Sequence, residues 1–244
     1  EPAAQWLELL LRAAAGRGAW FATGKILNAS RNDEIDATYD AVSRAGCAWR
    51  IGHGRRDGPE FDSVREIRLA PATACLYRTE LFRRVGLFDE SFESYLEDVD
   101  FGLRCALANY TGVYVPDAVA YHWGSATLGR WHPRTVRLIA RNQVLLLAKH
   151  VPRELLLRNA WRILAGQLLW AAVAARHGRL GPCCRGKLEA MRLFRSVRKT
   201  RQPPSGHIEE VMLASERDIR RVQAQTGFDW YWRLYFFLAG SGAF

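Results

Sequence analysis

The sequence predicts an α/β domain with a mixed sheet, followed by a basic, mostly α-helical tail. Three observations carry that reading. Short apolar strand-like runs alternate with helical periodicity through the first half, the mark of α/β layering. From Pro133 onward the pattern is helical, with breaks at Pro152, at Gly178, Gly181 and Pro182, and at Pro203 and Pro204. The charge divides at nearly the same place. The 244 residues hold 35 Lys and Arg against 25 Asp and Glu, a net charge of +10. Residues 1–130 contain 15 basic and 18 acidic residues (−3), and residues 131–244 contain 20 and 7 (+13). The chain therefore reads as a domain over 1–132 and a tail over 133–244.

Composition excludes several classes. Apolar residues make up 49% and charged residues 25%, which is globular rather than disordered. The five cysteines, Cys47, Cys75, Cys105, Cys183 and Cys184, are odd in number and lack zinc-site or C-x-x-C spacing. They read as reduced thiols, with palmitoylation at Cys183–Cys184 as the alternative. The overall positive charge raises nucleic acid, phosphate or an anionic membrane as partners. The first residue is Glu, these residues hold no signal-peptide pattern, and the chain opens within a helix, so a partial chain is expected.

The elements follow in order. Pro2 precedes a helix over 5–15, stopped by Gly16 and Gly18. The run 20–27 (WFATGKIL) is a buried strand. Residues 28–40 are polar and turn-rich, and 41–62 read as a loop. Residues 64–77 form a strand or two around Pro71. A helix over 79–85 starts at Thr79 as its cap, with Glu80 in the first turn, and stops at Gly86. Residues 96–108 are helical. GVYV (112–115), stopped by Pro116–Asp117, and VAYHW (119–123) are two further strands.

The stretch 86–129 carries the candidate chemistry. Glu97, Asp98 and Asp100 precede the apolar periodicity of the helix over 96–108. Acids at that position cap free N–H groups and complement the helix dipole. Alternatively, one of them is a general base held at the helix start and aimed at a substrate hydroxyl. Asp100 and Arg104, four residues apart, read as a bracing ion pair. His122 ends a strand between Tyr121 and Trp123, with Ser125 and Thr127 beyond it. It is either a packed histidine or one ligand of a divalent metal, and no second acid cluster is evident to complete such a site.

Taken together and in order, these segments resemble the C-terminal part of the GT-A catalytic domain of family 2 glycosyltransferases, in the bacterial rhamnosyltransferase-like and galactofuranosyltransferase-like group. The resemblance runs through residues 1–149. It rests on Pro2–Leu11, Thr23–Leu27 (TGKIL), Ala72–Arg78 (ATACLYR), Val85–Glu90 (VGLFDE), Leu96–Arg104 (LEDVDFGLR), Tyr121–Ser125 (YHWGS) and Arg141–Asn142. It implies a Rossmann-like domain with a mixed sheet. It implies that Asp98 is the general base, deprotonating an acceptor hydroxyl that attacks the anomeric carbon of a nucleotide sugar with inversion. Glu97 is then the adjacent acid. Thr73, Asp100 and Trp123 would line the acceptor side, and His122 would help hold Mg²⁺ or Mn²⁺ on the donor diphosphate. The family's nucleotide-binding half, with most metal ligands, would precede Glu1. The expected function is transfer of a sugar, with rhamnose a candidate, to a glycan or lipid-linked acceptor in cell-wall or surface-polysaccharide synthesis.

The tail has its own reading. Residues 155–173 carry a polar stripe at Arg158, Arg162 and Gly166, and the uncharged core 163–175 has 13 residues, fewer than the ~20 needed to span a bilayer. Arg158, Arg162, Trp170, Trp230 and Trp232 would form an interfacial face with snorkelling arginines and an aromatic belt. These helices would otherwise pack on the domain. The expectation is a peripheral protein on the cytoplasmic face of the cell membrane, bound to an anionic surface and not to nucleic acid. The competing readings are a non-catalytic membrane-associated module and a basic nucleic-acid-binding protein.

Overall fold

The computed structural model describes residues 1–124, 129, 131–199 and 207–240. The strand Phe21–Asn28 (β1) is the axis of a five-stranded mixed sheet. All but its last residue are buried. Gly112–His122 (β7) pairs with it in parallel, while Arg31–Ala37 (β2) and Cys75–Tyr77 (β6) pair antiparallel along its other edge. Arg65–Ile67 (β5) closes the far side against β7. The expected α/β class holds, with a helical C-terminal region.

The chain forms two compact units, residues 1–41, 49–89 and 97–126, and residues 42–48, 90–96 and 127–244. In the first, helix Trp6–Arg17 (α1) lays Leu10 on Ala22, Val113, Val115 and Ala118 of the sheet. Helices Thr79–Val85 (α2) and Glu97–Leu107 (α3) join β6 through the rings of Tyr77, Phe82, Phe88 and Phe101, with centroids 5.0–6.0 Å apart. Gly24 permits a close approach of β7, since a Cβ there would lie 1.7 Å from the Ala118 carbonyl oxygen.

That contact explains one departure from expectation. The two strands over 112–115 and 119–123 are one strand. The register with β1 jumps from Gly24↔Val115 to Lys25↔Val119. The bulge lifts 116–118 off the ladder, where Pro116 has no N–H to miss. Residues 28–40 are not mainly turn: they contain β2, whose last three residues are buried. Within 41–62 lies part of a short hairpin, Asp40–Val42 (β3) with Ala48–Arg50 (β4). Thr79 is the first residue of α2 rather than its cap, and Arg78 in the cap position makes no side-chain cap bond. Gly86 does end the helix, at φ 85°.

The second unit contains the helices Pro133–His150 (α4), Arg153–Arg158 (α5), Ala160–Arg176 (α6), Leu180–Lys199 (α7), Ile208–Thr226 (α8) and Trp230–Leu238 (α9). Gly181 and Pro182 lie in the first turn of α7, where a missing N–H costs nothing. α4 and α7 cross so closely that a Cβ on Gly186 would meet the Arg137 carbonyl at 2.1 Å. Glu216 of α8 is buried and takes Arg44 at 2.7 Å and the Tyr235 hydroxyl at 2.7 Å.

Two residues expected on the membrane face, Trp170 and Trp232, pack inward. Trp232 is 4% exposed, in ring contact with Tyr231, Tyr235 and Phe236. Trp170 packs on Val136, Ala140, Ala174 and Cys183 beside Trp131. Gly166 is covered by Ala45 and Tyr235. The helical pattern placed these residues on an outward stripe, but α4, α7 and α9 cover that side. Trp230 and Arg158 are exposed, Arg162 is half-buried, and Arg158 is paired with Glu209. Among the described residues no helix is long and apolar enough to cross a membrane. All five cysteines are free; burial raises the Cys47 thiol to about 11 and the Cys105 thiol to about 12, and Cys184 is exposed. Ser125, Thr127, Arg201, Pro203 and Pro204 lie outside the described residues.

Candidate active site

The site lies within the first unit, where α3 begins. Asp98 is the second residue of α3 and is 8% exposed. Its Oδ1 accepts the Val99 N–H at 2.9 Å and its Oδ2 the Ala72 N–H at 3.3 Å. Both oxygens are thus aimed by backbone donors, as the partial positive charge of a helix N-terminus favours. Ala72 belongs to a pinned turn. The Tyr77 hydroxyl donates to the Ala70 carbonyl at 3.3 Å, and Thr23 Oγ1 donates to the Ala74 carbonyl at 3.1 Å. Thr73 is the exposed residue between them.

Glu97 beside it is partly buried, and its Oε2 has no partner. Burial, then the charge of Asp98, raise its carboxyl above the ordinary value. Asp40, in β3, is buried and its Oδ2 is also unpartnered. Burial, then Asp98, push it well above the carboxylate range, against the pull of Arg50. For the Arg50 guanidinium itself, burial lowers the pKa, but Asp40, Asp98, Asp36 and Glu97 together leave it raised. The site is a set of four carboxylates around one arginine. Such crowding keeps a carboxyl protonated that would otherwise ionise.

His122 ends β7, and its Nδ1 lies 2.9 Å from Asp36 Oδ2. Asp36 is 5% exposed, stands 3.5 Å from Arg50, and its backbone carbonyl meets His53 Nδ1 at 2.8 Å. Gly124 leaves room for it, since a Cβ there would come within 3.0 Å of Asp36 Oδ1. A histidine held through Nδ1 by a carboxylate presents Nε2 outward, the usual disposition of a metal ligand. Among the described residues, no three His, Cys, Asp or Glu side chains converge on one metal position. The residues present therefore fit a single ligand, His122, with Asp36 behind it.

Two other predicted residues part company. Asp100 is fully buried and bonds Arg104 at 3.0 Å. Arg104 also donates to the Val85 carbonyl and, at 2.7 Å, to that of Leu87. Asp100 is thus a brace of the fold and does not face an acceptor. Trp123 is 65% exposed and open to a ligand.

Asp36, Asp40, Arg50 and His53 lie in segments whose sequence predicts turn and loop. A signal was there: in IDATYDAV (35–42) two acids sit among apolar neighbours, and a buried acid needs a partner.

Comparison with known proteins points to glycosyl-transferring enzymes. Residues 71–183 match the family described as glycosyl transferase family group 2. The chain is also similar to the N-acetylglucosaminyl-diphospho-decaprenol L-rhamnosyltransferases of Mycobacterium tuberculosis strains CDC 1551 / Oshkosh and ATCC 25618 / H37Rv. Identity is 38% over 99 residues, covering 37% of this chain and 32% of each relative. The match spans about a third of the length of those relatives. Residues 71–183 are thus similar to family 2 glycosyltransferases, and the 99-residue match is to proteins named as rhamnosyltransferases.

Proposed function

We propose that this chain carries the acceptor side of an inverting glycosyltransferase, with Asp98 as the general base. The observation that carries the reading is the seating of Asp98. Its two oxygens are held by the Val99 and Ala72 N–H groups, at the start of a helix within the family-matched stretch. A carboxylate so anchored can accept the proton of an acceptor hydroxyl as that oxygen attacks the anomeric carbon. The nucleoside diphosphate departs from the opposite face. Glu97 adjoins the base, with its buried Oε2 unpartnered. Thr73 and Trp123 are exposed and available to the acceptor.

The relatives' name supports a nucleotide-linked rhamnose donor and a lipid-diphosphate-linked N-acetylglucosamine acceptor, and with them a place in cell-envelope glycan assembly. His122 would hold a divalent ion through Nε2, with Asp36 fixing the ring. When bound, Mg²⁺ or Mn²⁺ would stabilise charge on the departing diphosphate.

The test is Asp98→Asn in the protein. It keeps shape and removes the base. Transfer is expected to fall about 10²–10⁴-fold, with nucleotide-sugar binding retained. Turnover near that of the unaltered protein would refute the assignment.

A further inference from the structure

The second unit ends in helices whose outward faces are apolar. On α6, Trp161, Leu164 and Leu168 follow one another at i, i+3 and i+7 and are 58%, 49% and 59% exposed. On α9, Leu234, Phe237 and Leu238 are 43%, 70% and 37% exposed. The two ridges meet, because the Trp161 indole N–H donates to the Leu238 carbonyl at 2.9 Å. The helices are packed by their other sides, where the Tyr231 hydroxyl donates to the Gly166 carbonyl at 3.2 Å. The exposed ridge is therefore not needed to hold them together. A contiguous apolar face of this kind marks an interaction surface.

Charge narrows the partner. α6 and α9 contain Arg162, Arg176 and Arg233 and no acid. α7, packed on α6, contributes six Lys and Arg residues and only one acid, Glu189. A second copy of this chain would set one cationic rim against another. A nucleic acid would meet the arginines and leave the apolar ridge in water. An anionic bilayer satisfies both, with apolar side chains in the headgroup–acyl boundary and guanidinium groups on lipid phosphates. α6, at 17 residues, is about 25 Å long, and such helices would lie along the surface.

We propose that the face formed by α6 and α9 docks on an anionic lipid bilayer. Trp161, Leu164, Leu168 and Phe237 are its apolar anchors. Arg162, Arg176 and Arg233 are its headgroup contacts. The proposal goes beyond glycosyl transfer and does not depend on it, since docking requires neither donor nor turnover.

The 244-residue chain is sedimented with phosphatidylcholine vesicles, alone or with about one third phosphatidylglycerol. Binding is expected to be about tenfold or more tighter on the anionic vesicles and to weaken with salt. Leu164→Glu with Leu168→Glu, both at exposed positions, should lower it at least about tenfold with helix content by circular dichroism unchanged. Arg176→Glu with Arg233→Glu leaves the apolar ridge intact, so it serves independently should the first pair disturb folding. It should cost about fivefold per cation on anionic vesicles only. Equal binding to neutral vesicles, or undiminished binding by either folded double variant, overturns the proposal. So does a dimer in solution that Leu164→Glu with Leu168→Glu dissolves, or tighter binding to RNA than to vesicles.

Discussion

The Asp36 carboxylate lies 2.9 Å from His122 Nδ1 and 3.5 Å from the Arg50 guanidinium, so one buried acid orients the histidine and binds the arginine set among the site's carboxylates. Asp36→Asn keeps the shape and removes the charge. If the proposed transfer activity is assayed, the divalent-metal concentration for half-maximal transfer is expected to rise about 10–100-fold. An unmoved metal titration, with the fold intact, would reduce the pair to packing.

Asp40 sets a pH dependence. Its folded-state carboxyl stands well above the ordinary value, so the native state holds the proton more tightly than the unfolded chain does. The stability this gives is complete below the ordinary carboxylate range and is lost as pH rises through the raised value. Melting temperature should therefore decline from mildly acidic toward neutral pH. Asp40→Asn should flatten the decline, each kcal/mol recovered being worth about 2–4 °C. Melting curves from pH 5 to 8 decide it, and the same slope in the variant would count against Asp40.

Asp100 and Arg104 test a structural role against an acceptor-binding one. Asp100→Ala leaves Arg104, of which only 9% of the side chain is exposed, without its carboxylate. Breaking such a buried pair costs about 3–5 kcal/mol, here moderated because two carbonyls remain to Arg104. Urea unfolding should show the loss. The acceptor KM of whatever folds should stay put, and a KM rise without destabilisation would restore the acceptor role.

Asn142 is fully buried and its amide donates to the carbonyls of Phe92, Ser94 and Tyr95 at 2.8, 3.0 and 2.6 Å. Arg141 donates to the Ser91 and Phe92 carbonyls and pairs with Glu93. Together they hold a loop in which Glu93, Tyr95 and Leu96 all have positive φ, a strained path for residues with side chains. Asn142→Ala should destabilise the second unit by about 2–4 kcal/mol, read as a lower urea midpoint.

Some of this was legible beforehand. The acids at 97, 98 and 100 fell at the start of a helix because the apolar period of 99–107 began after them, and that period survives in the buried face of α3. The residues alone left open which of the three acids would serve as base, and only the resemblance of LEDVD to family 2 glycosyltransferases pointed to Asp98; the i, i+4 spacing of Asp100 and Arg104 gave their ion pair. The bulge at 116–118 was not legible, because it depends on how closely β7 approaches Gly24. Trp170 and Trp232 misled for a related reason. Periodicity shows that a helix has an apolar side, but not how many neighbours will cover it.

By itself, then, the sequence determined the alternation of strands and helices, the split in charge and the helix that seats Asp98, since these follow from local periodicity and capping. Only the tertiary structure decided that Asp36, Asp40, Arg50 and His122 share one site with Glu97 and Asp98. They are drawn from strands and a hairpin scattered over nearly ninety residues of chain, roughly the 86-residue separation of Asp36 and His122. It also decided which tryptophans are buried and which apolar ridge remains bare. Both outcomes rest on long-range packing, because a side chain's partners and its exposure are set by segments distant in the chain.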